Sequence, residues 1–283
     1  MTTPVESSSR RNIVPKSKLV EEYKITERTH ISTDLIDKIF NNMLLQQSIP
    51  RNYLETPRLE KLRMNYISWL FRLTTKTEIS NQTLFNTISL IDLLFSKVKK
   101  ELIEEPSNFQ LLAITCFYLS YKAFEKKKMT VNFVEKYLLC GQWGEEDIRR
   151  AEVCILTIIE YNLHSVNFYS FFEVYKEIIL KHFSNEFVNQ ISYLVNYTMK
   201  HSLFIKEFIF NLLPSDQIRI ILNTVFLLLS RLSGLDLNNY EGFFIEISKL
   251  SDCEIPEFEK YSNMLFSGLR INEEFLQNFT RIQ

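Results

Sequence analysis

Four stretches decide how this chain folds: LRMNYISWL (Leu62–Leu70), NQTLFNTISLIDLLFS (Asn81–Ser96), FQLLAITCFYLSYKAFE (Phe109–Glu125) and RRAEVCILTIIEYNL (Arg149–Leu163). Apolar residues in them recur at three- and four-residue spacing, which lines one face of an α-helix. No period-two alternation runs long enough to predict a sheet. Among these apolar runs stand a few charges, Arg63, Asp92, Lys122 and Glu152. A charge near or inside a packed surface is costly unless a partner meets it.

Working outward, the prolines punctuate the helices. Pro106-Ser107-Asn108 and Pro214-Ser215-Asp216 each open a long apolar run, at a position where the missing N–H costs little. Each run is hydrophobic nearly all round, and such a helix must be buried all round. Each is therefore expected at the centre of its own bundle, an internal duplication. Predicted around the first are helices over Leu62–Thr75, Gln82–Val98, Val131–Leu139 and Glu145–Tyr161. The second half is predicted to hold Phe168–Phe183, Glu186–Phe204, Ser215–Leu232, Tyr240–Leu250 and Pro256–Leu269. Ala113, Cys116, Ser120 and Ala123 form a small-residue stripe that lets neighbouring helices approach closely. Upstream, Ser32-Thr33-Asp34 can cap a helix carrying Leu35, Ile36, Ile39, Phe40, Met43 and Leu44, which stops before Pro50. Residues 1–31 are polar and lack periodicity, so they are expected to form a mobile tail.

Composition narrows the function. With 283 residues, 46% hydrophobic and 24% charged, the chain has room for two domains and a sizeable core. It has five glycines and neither a G-x-G-x-x-G nor a P-loop pattern, which argues against nucleotide chemistry. A net charge of −1 argues against nucleic acid as the main partner. Lys97, Lys99, Lys100 and Lys126 to Lys128 read as solvated helix ends. Cys116, Cys140, Cys154 and Cys253 show no C-x-x-C, and no signal peptide or long apolar span is present. The chain is thus expected in the nucleus or cytoplasm with reduced thiols, and without a membrane partner. His30, His164, His182 and His201 are scattered, with no metal-ligand spacing. Neither catalysis, metal nor cofactor is expected.

From Leu62 to Leu163 the order and spacing of these residues resembles the cyclin box, the helical repeat by which cyclins grip and activate their kinases. The resemblance implies an all-α fold of two tandem five-helix cyclin-fold domains, preceded by an N-terminal helix and the tail. The implied boundaries are 1–31 for the tail, 32–164 for the first box with its preceding helix, and 165–283 for the second domain. LLPSDQIRIIL (Leu212–Leu222) looks like the start of that second box.

Carried over residue by residue, the resemblance makes Arg63 and Asp92 a structural salt bridge within the first box. It makes Lys122 and Glu152 a clamp on main-chain groups of a kinase, with Glu125 contributing beside them. Tyr161 and Leu163 would press on the kinase helix. Where the family has an aromatic directly after the lysine this chain has Ala123, and Phe124 is expected to substitute. Many cyclins also dock Arg-x-Leu peptides on a patch matched here by Leu62, Trp69 and Gln110. Asn65 replaces an apolar residue of that patch, Ser68 an aspartate, and Arg72 the acidic residue that receives the peptide arginine. Positive would face positive, so Arg-x-Leu docking is expected to fail.

The implied function is that of a regulatory subunit. It would bind and activate a cyclin-dependent Ser/Thr kinase by positioning the kinase C helix and activation loop, in cell-cycle control. Substrate or inhibitor proteins would be further partners. Ala123, Asn65 and Arg72 keep a second reading open, a cyclin-fold scaffold for a partner that is not a kinase.

Overall fold

The structure, a computed structural model, describes residues 32–233, 243, 245–247 and 257–269. The expected tail, His30, Cys253 and most of the predicted helix at Tyr240–Leu250 lie outside the described residues. The first half comprises α1 (Thr33–Gln46), α2 (Pro57–Lys76), α3 (Asn81–Lys97), α4 (Lys100–Glu104), α5 (Pro106–Phe124), α6 (Val131–Phe133) and α7 (Glu145–Ile158). The second comprises α8 (Phe168–His182), α9 (Asn185–Ser202), α10 (Lys206–Asn211), α11 (Pro214–Ser233) and α12 (Phe258–Gly268). No strand occurs among the described residues.

Local sequence explains where these helices begin. Thr56 accepts a hydrogen bond from the Leu59 N–H with Pro57 following it, and Ser80 and Ser184 cap α3 and α9 in the same way. Asn167 caps α8 by accepting from Tyr169 and Ser170. Both α5 and α11 start on the prolines that the sequence marks.

Packing follows the two apolar runs. The α5 helix lies against α3, α7, α4 and α2, and α11 lies against α8, α9 and α12. Along α5, Phe109, Ala113, Cys116, Phe117 and Ser120 are all buried. Three of the four stripe residues are thus covered, and Ser120 Oγ takes a 3.1 Å hydrogen bond from Asn86 of α3. Ala123, the fourth, is exposed.

Contacts that sequence distance hides join the halves. Phe85 of α3 stacks on Tyr169 of α8 with centroids 5.2 Å apart, and Phe71 meets Phe204 edge-on at 5.7 Å. Asn81 donates to Asn196 at 3.1 Å. Helix α1 lies on α8 of the second half, where Phe40 packs edge-on against Phe171 and Tyr175. Two short helices, α4 and α10, are not predicted by the apolar pattern, because each is too brief to show a period. The predicted α-helix at Val131–Leu139 widens into a π-helical turn at Val134–Leu138, where the Leu139 N–H donates to the Val134 carbonyl at 2.9 Å.

Candidate functional site

The C-terminal end of α5 and the length of α7 lie side by side and bring Lys122 to Glu152. The two form an ion pair, with side-chain exposures of 41% and 15%. The Lys122 ammonium also sits 4.3 Å over the ring of Tyr118, one turn earlier on α5. Burial first, and then the Glu152 carboxylate, push the Tyr118 phenol up. Among the described residues neither Lys122 nor Glu152 makes another side-chain hydrogen bond. Two ammonium N–H groups and one carboxylate oxygen thus remain for a partner. Lys122 is open to solvent, which screens the pair, so it adds about 1 kcal/mol or less to stability.

Glu125 faces inward. Its Oε1 accepts from the Ser80 N–H at 2.8 Å, from Ser80 Oγ at 2.7 Å and from Thr83 Oγ1 at 2.6 Å. It thereby ties the end of α5 to the start of α3, where the helix dipole favours a negative charge. Burial works to raise its acid, but the hydrogen bonds from Thr83 and Ser80 outweigh it and hold the carboxyl below its ordinary range. Phe124 is half-buried and meets His164 edge-on at 5.1 Å.

Tyr161 stands out from the surface, 70% exposed, and the end of α7 explains how it is presented. The Tyr161 N–H donates to the Leu156 carbonyl and the Glu160 N–H to that of Thr157, which is the Schellman way of closing a helix. That closure requires a left-handed residue, usually glycine, but here Glu160 and Tyr161 both take positive φ, 55° and 61°. Left-handed geometry costs a residue with a Cβ roughly 1–2 kcal/mol. Such strain is found where function needs a side chain aimed. Leu163, by contrast, is half-buried and packs on the core. Val153, next to Glu152 and 62% exposed, adds apolar surface that the sequence reading missed. Its signal was an apolar residue outside the buried stripe of Ile148, Ala151 and Ile155.

Arg63 and Asp92 are each only 3% exposed. They meet through two 2.8 Å hydrogen bonds, and Tyr53 Oη adds one to Asp92 at 2.9 Å. Burial would lower the Arg63 guanidinium, and Asp92 overrides it to push the guanidinium up. The docking-patch residues gather on α2 and the start of α5: Leu62, Trp69 and Gln110 half-buried, Asn65 and Arg72 exposed. Trp69 leans on Tyr66 at 5.3 Å and meets Phe117 edge-on at 6.0 Å. Among the described residues no cluster of His, Cys, Asp and Glu could hold a metal ion, and no helix is long and apolar enough to cross a membrane.

The described residues thus form helical bundles centred on α5 and α11, with a buried Arg–Asp fork between α2 and α3. The family model of the cyclin N-terminal domain matches residues 19–164, and the chain belongs to the cyclin family. It is similar to S-phase entry cyclin-6 of Saccharomyces cerevisiae, 32% identical over 141 residues that cover 46% of this chain and 35% of that protein. It is also similar to the G2/mitotic-specific cyclin-B3 of Homo sapiens, 23% identical over 216 residues covering 71% of this chain and 15% of that one. The matched stretch thus spans little more than a third of the first relative and less of the second. A viral cyclin from herpesvirus saimiri shares the fold with a TM-score of 0.53 at 16% identity, over 77% of this chain and 96% of that one.

Proposed function

We propose that this chain is the regulatory subunit of a cyclin-dependent Ser/Thr protein kinase, acting in cell-cycle control in the nucleus or cytoplasm, and is not itself a catalyst. One observation carries the reading. The exposed Lys122–Glu152 pair, with Val153 beside it and Tyr161 held out by strained backbone, makes a charged and apolar face that contributes little to the fold. Lys122 and Glu152 offer donors and acceptors to main-chain groups of a partner helix and loop, while Tyr161 and Phe124 supply apolar anchors. In this reading residues 32–164 grip the kinase, and the domain expected from residue 165 onward backs them.

Such a grip activates by holding the kinase C helix inward, where its glutamate reaches the active-site lysine, and by ordering the activation loop. It works only if the chain binds the active arrangement better than the inactive one. The test is affinity capture of the tagged chain from cell extract, followed by phosphorylation assays on the captured complex and the purified kinase alone. A captured kinase that gains activity supports the reading. Capture without any kinase, or a bound kinase that stays inactive, overturns it in favour of a scaffold, the role that the bare surface at Ala123 would suit.

A further inference from the structure

Lys97, Lys99 and Lys100 read from sequence as solvated helix ends, but the structure gathers them around a cleft of about 460 Å³. That volume lies in the range of roughly 300–1,000 Å³ usual for ligand sites. Lys97 closes α3, Lys99 and Lys100 open α4, and Arg51 reaches the same cleft from the segment between α1 and α2. Four cations thus line it against two carboxylates, Glu55 and Glu101, alongside the buried Tyr53 and Phe95. The carboxylates near these cations do not close on them. Glu55 stands 3.9 Å from Arg51 and 3.4 Å from Lys100, Glu104 is 3.8 Å from Lys100, and Glu160 is 3.6 Å from Lys97. A charge-assisted N–H···O bond is about 2.7–2.9 Å long. Lysines elsewhere reach that length although they are more exposed: Lys38 meets Asp34 at 2.8 Å and Lys127 meets Glu78 at 2.5 Å, with lysine side chains 71% and 74% exposed. Those of Lys97 and Lys100 are 40% and 39% exposed, so they are held against the cleft and poorly met there. Lys100 also stands on the first turn of α4, the end of a helix that disfavours a cation, so the stability of that helix does not account for its place.

We infer that this cleft is a docking site for a phosphorylated serine or threonine side chain of another protein. A phosphoryl group carries about −1.5 to −2 charge and three acceptor oxygens, enough to meet several cations at once. It would take the place of Glu55, whose side chain is 52% exposed and can turn to solvent, and Arg51 and Lys100 would close on it. The Arg51 fork can hold two of its oxygens together, and Lys97 and Lys99 add their charge. A plain carboxylate suits the cleft less, since Glu55 already lies between Arg51 and Lys100 and satisfies neither. A nucleic-acid strand suits it less too, since the chain as a whole has no basic excess to draw phosphates from a distance. None of Lys122, Glu152, Val153 and Tyr161 lines the cleft, so this inference does not rest on kinase binding.

The test uses the full chain without any kinase, in fluorescence anisotropy with a labelled peptide pool that has one phosphoserine between randomised flanks. The same pool with serine, or with glutamate, should bind about tenfold more weakly or worse, and added salt should weaken the phosphorylated pool. Lys99→Gln with Lys100→Gln should weaken its binding about tenfold or more, and so should Arg51→Gln on the other segment. Glu55→Gln, which removes the competing carboxylate, should strengthen it. Lys126→Gln with Lys128→Gln, at exposed cations outside the cleft, should leave it unchanged. Circular dichroism checks that each variant keeps the helical content of the parent. A phosphorylated pool that fails to bind, or that binds no better than the other two, overturns the inference. So does an equal loss in the Lys126 and Lys128 variant, which marks general charge attraction. Displacement by inorganic phosphate at equal concentration makes this a free-anion site, and tighter binding of a single-stranded oligonucleotide makes it a nucleic-acid surface; either result also overturns the inference. Kinase capture by the Lys99 and Lys100 variant should match the parent, which keeps failure here apart from failure of the proposed function.

Discussion

Arg63 and Asp92 are paired fork to fork, with Nε to Oδ1 and Nη2 to Oδ2 both at 2.8 Å, and the remaining Arg63 nitrogen donates to the Leu203 carbonyl at 2.6 Å. Phe210 lies 5.5 Å beneath the guanidinium. The pair therefore ties three places together: α2, α3 and the end of α9 in the other half of the chain. Removing either partner leaves an uncompensated buried charge, which costs about 3–5 kcal/mol. Arg63→Ala should lower the thermal midpoint sharply, and Asp92→Asn should add little to it. Full additivity in that double-mutant cycle would separate the two side chains energetically.

The Lys122–Glu152 pair should behave in the opposite way. Lys122→Ala with Glu152→Ala should leave the melting temperature almost unchanged, because solvent around Lys122 screens the pair to about 1 kcal/mol or less and the double change leaves neither charge unpaired. Kinase capture should nevertheless be lost, since each charged hydrogen bond to a partner is worth about 1.5–3 kcal/mol. Capture that survives with the fold intact would remove these residues from the interface.

Tyr161→Gly separates strain from contact. Glycine accepts positive φ without a Cβ clash, so the variant should be no less stable than the parent by thermal melting. Loss of the exposed ring should weaken kinase binding by about 2 kcal/mol or more if Tyr161 is an anchor. Unchanged binding would leave the strained turn without a role at the interface.

Glu125 gives the fold a dependence on acid. Its folded-state carboxyl is held below the ordinary range, so the stability it contributes is present above the unfolded value near 4.3 and is lost as pH falls through the folded value. Glu125→Gln should therefore melt below the parent at neutral pH, and the gap should narrow towards pH 3. A gap independent of pH would place the effect elsewhere.

Gln217 is the polar residue of the second half whose loss should matter most. Its side-chain amide donates to the carbonyls of Phe208, Ile209 and Leu212 at 3.1, 3.2 and 3.0 Å, satisfying the end of α10 from the buried face of α11. Gln217→Met should cost about 1–3 kcal/mol through unmet carbonyls. Gln217→Glu, with an acceptor in place of the donor, should be worse at neutral pH than in acid. Equal stability of both variants at all pH values would refute that account.

Much of this was legible beforehand because helix formation is local. Pro106 and Pro214 opened the central helices where expected, and the all-round apolar runs beyond them became the buried centres. Arg63 and Asp92 could be paired from sequence by resemblance, yet the Leu203 carbonyl could not be found that way. A main-chain acceptor 140 residues away leaves no mark in side-chain identity. Glu125 shows the same limit, for its spacing after Lys122 places it near the outward face, and only the approach of α3 turns its carboxylate to Ser80 and Thr83.

Spacing of three and four, caps and proline, all of which act within a few residues, made the all-helical fold and most of its long helices legible in the sequence. The pairing of Arg63 with Asp92 was legible through the resemblance to the cyclin box. Tertiary packing set what the chain order does not show: α1 rests on α8, Glu160 and Tyr161 take left-handed geometry with the Tyr161 ring exposed, and Arg63 reaches the Leu203 carbonyl. These depend on which surfaces meet across long stretches of chain, and burial of apolar area, which is non-directional, selects that pairing for the molecule as a whole.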